Sequence, residues 1–163
     1  MTDFFAASAE VNELITYHIT NNHPKLALID KEIIAIFRDK AGKAGGQPVL
    51  GKTKKAHPYL SVIGNGDYKY VLEVAADTWT TLTPSQRSAL IDHLLCACKV
   101  EEDENTGDIK YSIVSPDVFF FYEELKRHGD WRTREQEESG PSFDIEAKIN
   151  VPGGSESDGE LTE

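Results

Sequence analysis

The segment Ser88-Ala89-Leu90-Ile91-Asp92-His93-Leu94-Leu95-Cys96-Ala97-Cys98 is where residue types and spacing come nearest to metal chemistry. A helix with His at i and i+4 puts two imidazoles on one face, where both can bind one zinc ion, and a Glu at i+1 polarises the metal-bound water. Here His93 holds the first position, but Leu94 stands at the place of the Glu and Ala97 at the place of the second His. General base and second ligand are both missing. With Leu90, Ile91, Leu94 and Leu95 around it, His93 is expected to be structural, held by packing and a hydrogen bond in a buried helix. His93 and Cys96 at i+3 could share a face, with Cys98 near. A rebuilt zinc site would then need two more ligands, from His18, His23, His57 or His128. No residue is assigned as catalytic or as a metal ligand, and no cofactor is expected.

The elements that must position this segment are readable in part. Val11, Leu14, Ile15, His18 and Ile19 recur at helical spacing behind Ser8 as a possible cap, which predicts an amphipathic first helix. Asp30 to Asp39, with Ile33, Ile34, Ile36 and Phe37, reads as a helix started by Asp30, with a strand as the alternative. Pro48 to Thr53 reads as a short strand and Tyr68 to Ala76 as a second, alternating one after the Gly64-Asn65-Gly66-Asp67 turn. Thr83, Pro84 and Gln86 form a capping box, so the central helix starts at Pro84 and runs to about Lys99. Ile109, Tyr111 and Ile113 alternate in a hairpin or edge strand over Asp108 to Val114. Ser115 and Pro116 then open a last helix from Asp117 to about His128, with Val118, Phe121, Tyr122 and Leu125 inside. The expected fold is α+β: three to four helices, one of them a zincin-like central helix, packed on a small and mostly antiparallel sheet.

Several fragments stand in a telling order: Tyr17-His18, His23-Pro24-Lys25-Leu26, Gly51-Lys52-Thr53-Lys54-Lys55, Trp79, Leu82-Thr83, Gln86-Arg87 and Arg127-His128-Gly129-Asp130-Trp131. Over roughly residues 10 to 133 the chain resembles the phage metallopeptidase family, whose members typically read Asp-His-Glu-Leu-x-His on the central helix. The resemblance implies a further metal ligand before an Asp at the start of the last helix, where this chain has Ser115-Pro116-Asp117. Leu94, Ala97 and Pro116 together make this a degenerate member. It is expected to keep the peptidase scaffold and do something else with it.

Charge suggests what that is. The chain has 163 residues, 39% of them hydrophobic, and a net charge of -11, which suits one globular domain with a real core. Residues 1–134 are read as that domain and 135–163 as an acidic, largely disordered tail. The tail's nine acids, Glu135, Glu137 and Glu138 among them, face the single base Lys148. Phe143, Ile145 and Ile149 are its few apolar residues, too little surface to offset the entropy of ordering it. A second acidic run, Glu101-Glu102-Asp103-Glu104 with Asp108, follows the central helix, where the dipole disfavours it. Together with Glu123, Glu124, Glu135, Glu137 and Glu138 these acids are the candidate partner-binding surface, an anionic face that imitates the phosphates of DNA. The expected function is inhibition of a host DNA-handling protein, such as DNA gyrase, a nuclease or a defence protein. The alternatives are an active metal-dependent peptidase with unusual ligands, or a phage accessory or structural protein. Lys43, Lys52, Lys54 and Lys55 are too few and lack the aromatics that direct nucleic-acid binding would use. No apolar run could span a bilayer and no signal peptide is seen, so a location in the bacterial host cytoplasm is expected. Cys96 and Cys98 point apart on a helix, which disfavours a disulfide between them.

Overall fold

The computed structural model describes residues 1–64, 66–115 and 121–132. The expectations for the tail, for Glu135, Glu137 and Glu138, and for Pro116 to Phe120 lie outside the described residues.

The chain opens on β1 (Phe4–Ala6) and α1 (Ala9–Asn22), followed by a 3-10 segment over Pro24–Glu32. Then come β2 (Ile33–Arg38), the small hairpin β3 (Gly42–Ala44) and β4 (Gln47–Val49), β5 (Gly51–Lys55) and the one-turn α2 (Tyr59–Ile63). The second half runs β6 (Tyr70–Ala75), α3 (Ala76–Trp79), α4 (Pro84–Cys96), β7 (Cys98–Glu102), β8 (Ile109–Ile113) and α5 (Tyr122–His128). The class is α+β, as the residue pattern predicts. The main sheet has the order β1-β2-β6-β5, with β2 and β6 parallel and both outer pairs antiparallel.

The expected helix over Asp30 to Asp39 is a correction. Its first part is the 3-10 turn, which buries Leu26 and Ile29, and the rest is β2 with Ile33, Ala35 and Phe37 buried in alternation. Branched side chains fit a pleated surface, and β6 offers a full parallel partner from Ile33↔Tyr70 to Arg38↔Ala75, so tertiary pairing decides the ambiguity. The strand read over Pro48 to Thr53 is broken at Leu50 into the end of β4 and the start of β5.

One face of the sheet packs on α1 and α4. Val11, Ile15 and Ile19 of α1 meet Leu90, Ile91, Leu94 and Leu95 of α4 over Leu72 and Val74 of β6 in a single core. The capping box forms as read: Thr83 Oγ1 accepts from Gln86 N at 3.2 Å and Gln86 Oε1 accepts from Thr83 N at 3.0 Å. At Gly51 a Cβ would lie 2.9 Å from the Glu73 carbonyl oxygen and 3.0 Å from Leu94 Cδ1, so glycine lets β5 approach α4. Tyr70 ties the β7–β8 hairpin to the sheet, its hydroxyl proton shared between the carbonyls of Lys99 and Ser112, each at 2.8 Å.

Helix α4 ends at Cys96 rather than near Lys99, because Cys98 already pairs with Ile113 in the hairpin. Glu101 and Glu102 therefore sit on a strand and Asp103, Glu104 and Asp108 at its turn. This corrects the argument that the acids crowd the negative end of the helix dipole, an effect confined to the last turn. Among the described residues no helix is long and apolar enough to cross a membrane.

Candidate functional site

Two polar clusters leave α4 in different directions, because successive helical residues are rotated by about 100°. The first is centred on Asp92, which is fully buried in the middle of an apolar helix. Its Oδ1 accepts from His23 Nε2 at 2.6 Å and from Arg127 Nη2 at 2.8 Å, and its Oδ2 accepts from Arg127 Nε at 2.6 Å and His128 Nε2 at 3.1 Å. Burial alone would raise this acid, yet the bonds from His128, His23 and Arg127 outweigh it and hold the carboxyl well below the usual carboxylate range. Asp92 is an anion with every lone pair engaged.

The partners come from two elements. His23 caps α1 and Arg127 and His128 end α5, so the carboxylate pins both helices to α4. His18 of α1 stands behind them, 1% exposed, taking a bond from Asn22 Nδ2 at Nδ1 and giving its Nε2 proton to Ser88 Oγ, both at 2.8 Å. Burial pushes this imidazole down to about 4, against the pull of Asp92. Cys96, one turn after Asp92, places Sγ 4.0 Å from His23 Nε2 and 3.9 Å from Asp92 Oδ1. Burial, then Asp92 and Glu123, push its thiol up, while burial alone pushes Cys98 up to about 12. Cys96, His23 and Asp92 do not make a nucleophilic triad. Thiol and carboxylate both address the same nitrogen, Nε2, so His23 cannot relay a proton between them.

The second cluster is centred on His93. Its Nδ1 donates to Glu124 Oε1, and its Nε2 accepts from Arg132 Nη2 at 3.3 Å. Glu124 is fully buried and also accepts from Phe121 N and Trp131 Nε1, each at 2.8 Å. This corrects its place on the acidic surface: its oxygens are spent on the interior. His93 and Arg132 line a groove with Leu90, Gly51, Pro48 and Ala44, between α4 and the start of β5.

Residues 2–138 match the family model described as "Putative phage metallopeptidase". The chain belongs to this family. No curated protein and no solved structure matches it. Zinc chemistry of the H-E-x-x-H kind does not fit the residues around His93. Leu94, next to His93, is 2% exposed and packs on Gly51, and Ala97, one turn after His93, is buried without a donor atom. His93 is committed on both nitrogens, and the group that donates to its Nε2 is itself a cation.

Of the sequence-derived partner surface, Glu101, Glu102, Asp103, Glu104 and Asp108 are all exposed on the β7–β8 hairpin. Asp103 also builds its turn, accepting from Asn105 N at 2.8 Å. The run is diluted by Lys110, opposite Glu101, and by Lys99, whose Nζ lies 3.4 Å from Glu101 Oε2. Glu123 is exposed and shares with Glu101 a groove lined also by His23, Lys25, Cys96 and Lys99. Of the imidazoles considered as extra ligands with His93 and Cys96, His57 stays apart, its Nδ1 taking the Tyr59 amide. His18, His23 and His128 gather on Asp92 instead of His93. The legible signal for that hub was an Asp in an apolar helix, four residues before a Cys.

His93→Ala leaves Glu124 with one partner fewer inside the protein and a gap beside Phe121. It is expected to cost about 1 to 3 kcal/mol in urea unfolding. An unchanged midpoint would show that His93 does not support the fold.

Proposed function

We propose that this chain is a catalytically inactive member of its family that works by binding a host DNA-handling protein through its acidic hairpin. The observation that carries the loss of catalysis is the state of the groove between α4 and β5. His93 is held between Glu124 and Arg132, and buried Leu94 and Ala97 fill the positions of base and second ligand. A peptidase needs an open metal position and a base beside it. Five exposed acids on one hairpin support the binding half of the reading, because clustered charge steers association with a basic channel.

The test has two arms. The purified protein is expected to hydrolyse no peptide, with or without added zinc, and zinc-dependent cleavage lost on His93→Ala would overturn the reading. In the second arm, a partner captured from bacterial lysate is expected to dissociate as salt is raised. Converting Glu101, Glu102, Asp103 and Glu104 together to Lys should slow its association at low salt by about tenfold or more, with the fold intact by circular dichroism. A partner that binds the variant equally fast, or binds with its DNA site already filled, would end the mimicry.

A further inference from the structure

The i, i+4 spacing that a zinc helix uses is present in α4, one residue earlier than the family's motif. Asp92 and Cys96 project to one side, and His23 enters between them from the end of α1. His23 Nε2, Asp92 Oδ1 and Cys96 Sγ all lie within 4.8 Å of one another. Glu123 adds a fourth donor, its Oε2 lying 4.0 Å from Cys96 Sγ at the exposed rim of the groove. A nitrogen, a sulfur and two carboxylate oxygens are a donor set for a borderline-soft divalent ion.

A cation already stands among these atoms. Arg127 Nη2 is 2.8 Å from Asp92 Oδ1, 3.5 Å from Glu123 Oε2 and 3.8 Å from Cys96 Sγ. The Arg127 side chain is 26% exposed and lies at the end of α5, so the guanidinium has a route to solvent. We infer that His23, Asp92, Cys96 and Glu123 form a binding site for a zinc-like divalent cation, for which the Arg127 guanidinium is the resident competitor.

Ligand atoms around a tetrahedral zinc lie about 3.3 to 3.6 Å apart. Sγ is 4.0 Å from His23 Nε2 and 3.9 Å from Asp92 Oδ1, while His23 Nε2 is 2.6 Å from Asp92 Oδ1. For these three donors loading therefore calls for shifts of less than about 1 Å, together with the exit of Arg127 and a rotation of the exposed Glu123 side chain that brings its carboxylate in. On binding, the thiol proton of Cys96 leaves to solvent and the His23 proton moves from Nε2 to Nδ1, so the neutral imidazole and the thiolate both coordinate. The site shares no ligand with the His93 groove and does not depend on the protein being a peptidase or an inhibitor.

Cobalt(II) is the probe, because a thiolate ligand gives it a charge-transfer band in the near ultraviolet. The wild-type chain is expected to take up one cobalt with that band and to release it to zinc. Cys96→Ser should abolish the band, His23→Gln should weaken binding at least about tenfold, and Cys98→Ser should leave both unchanged. Arg127→Gln is expected to tighten binding about tenfold by removing the competing charge. Arg127→Lys serves if the glutamine variant does not fold, and its mobile ammonium should give a smaller gain. Absence of the band from the wild type and the Arg127 variant, or a band that survives Cys96→Ser, would overturn the inference.

Discussion

Asp92→Ala is expected to be the most damaging single substitution in the protein, lowering stability by about 3 kcal/mol. The carboxylate is fully buried, and its removal strands Arg127, His23 and His128 together. Breaking a buried ion pair from one side typically costs about 3 to 5 kcal/mol. The lower end applies because Arg127 reaches solvent. Against the roughly 5 to 15 kcal/mol that holds a domain together, this is a large fraction. Urea unfolding of both chains measures it. The loss should be shared by the docking of α1 and α5, so hydrogen exchange should rise in both. A loss below about 1 kcal/mol would mean that the network is solvated.

The second large effect is on pH. His18 is buried and neutral, with its value lowered from 6.5 to about 4. Between those values the unfolded chain takes up a proton that the folded chain declines. Stability from this residue is therefore present above about pH 6.5 and falls away as pH drops toward 4, by roughly 3 kcal/mol in all. Asp92 acts lower down. Its folded value is depressed, so its contribution is full above the ordinary carboxylate range and is lost as pH falls below it. Urea midpoints taken from pH 7 to pH 4 should fall steadily in the wild type, with a shallower slope in His18→Gln. Equal slopes would show that His18 titrates normally in the folded state.

The local signals in the chain were legible because they depend on neighbours only. The spacing of Val11, Ile15 and Ile19 marked α1, and Thr83, Pro84 and Gln86 marked the start of α4 with the cap they form. The failure at Asp30 to Asp39 has an equally definite cause. A run of isoleucines satisfies both periodicities, and what settles it is β6, which lies 37 residues away in the parallel register Ile33↔Tyr70.

The site divides in the same way. Sequence by itself determined what stands beside His93, since a leucine at position 94 and an alanine at 97 offer no base and no ligand in any fold. It also located the acids Glu101 to Asp108, whose exposure follows from their charge and from the turn at Gly107. Only the tertiary structure decided the partners. Glu124 and Glu123 are adjacent and alike in sequence, yet a helix turns them about 100° apart, so one is buried on His93 and Trp131 and the other meets solvent beside Cys96. Asp92 and His93 are separated by that same rotation into two clusters. Asp92 gathers His23, 69 residues away, and Arg127, 35 residues away. Such encounters leave no local trace, because burial of an ion depends on which distant charges the packing of α1, α4 and α5 brings to it.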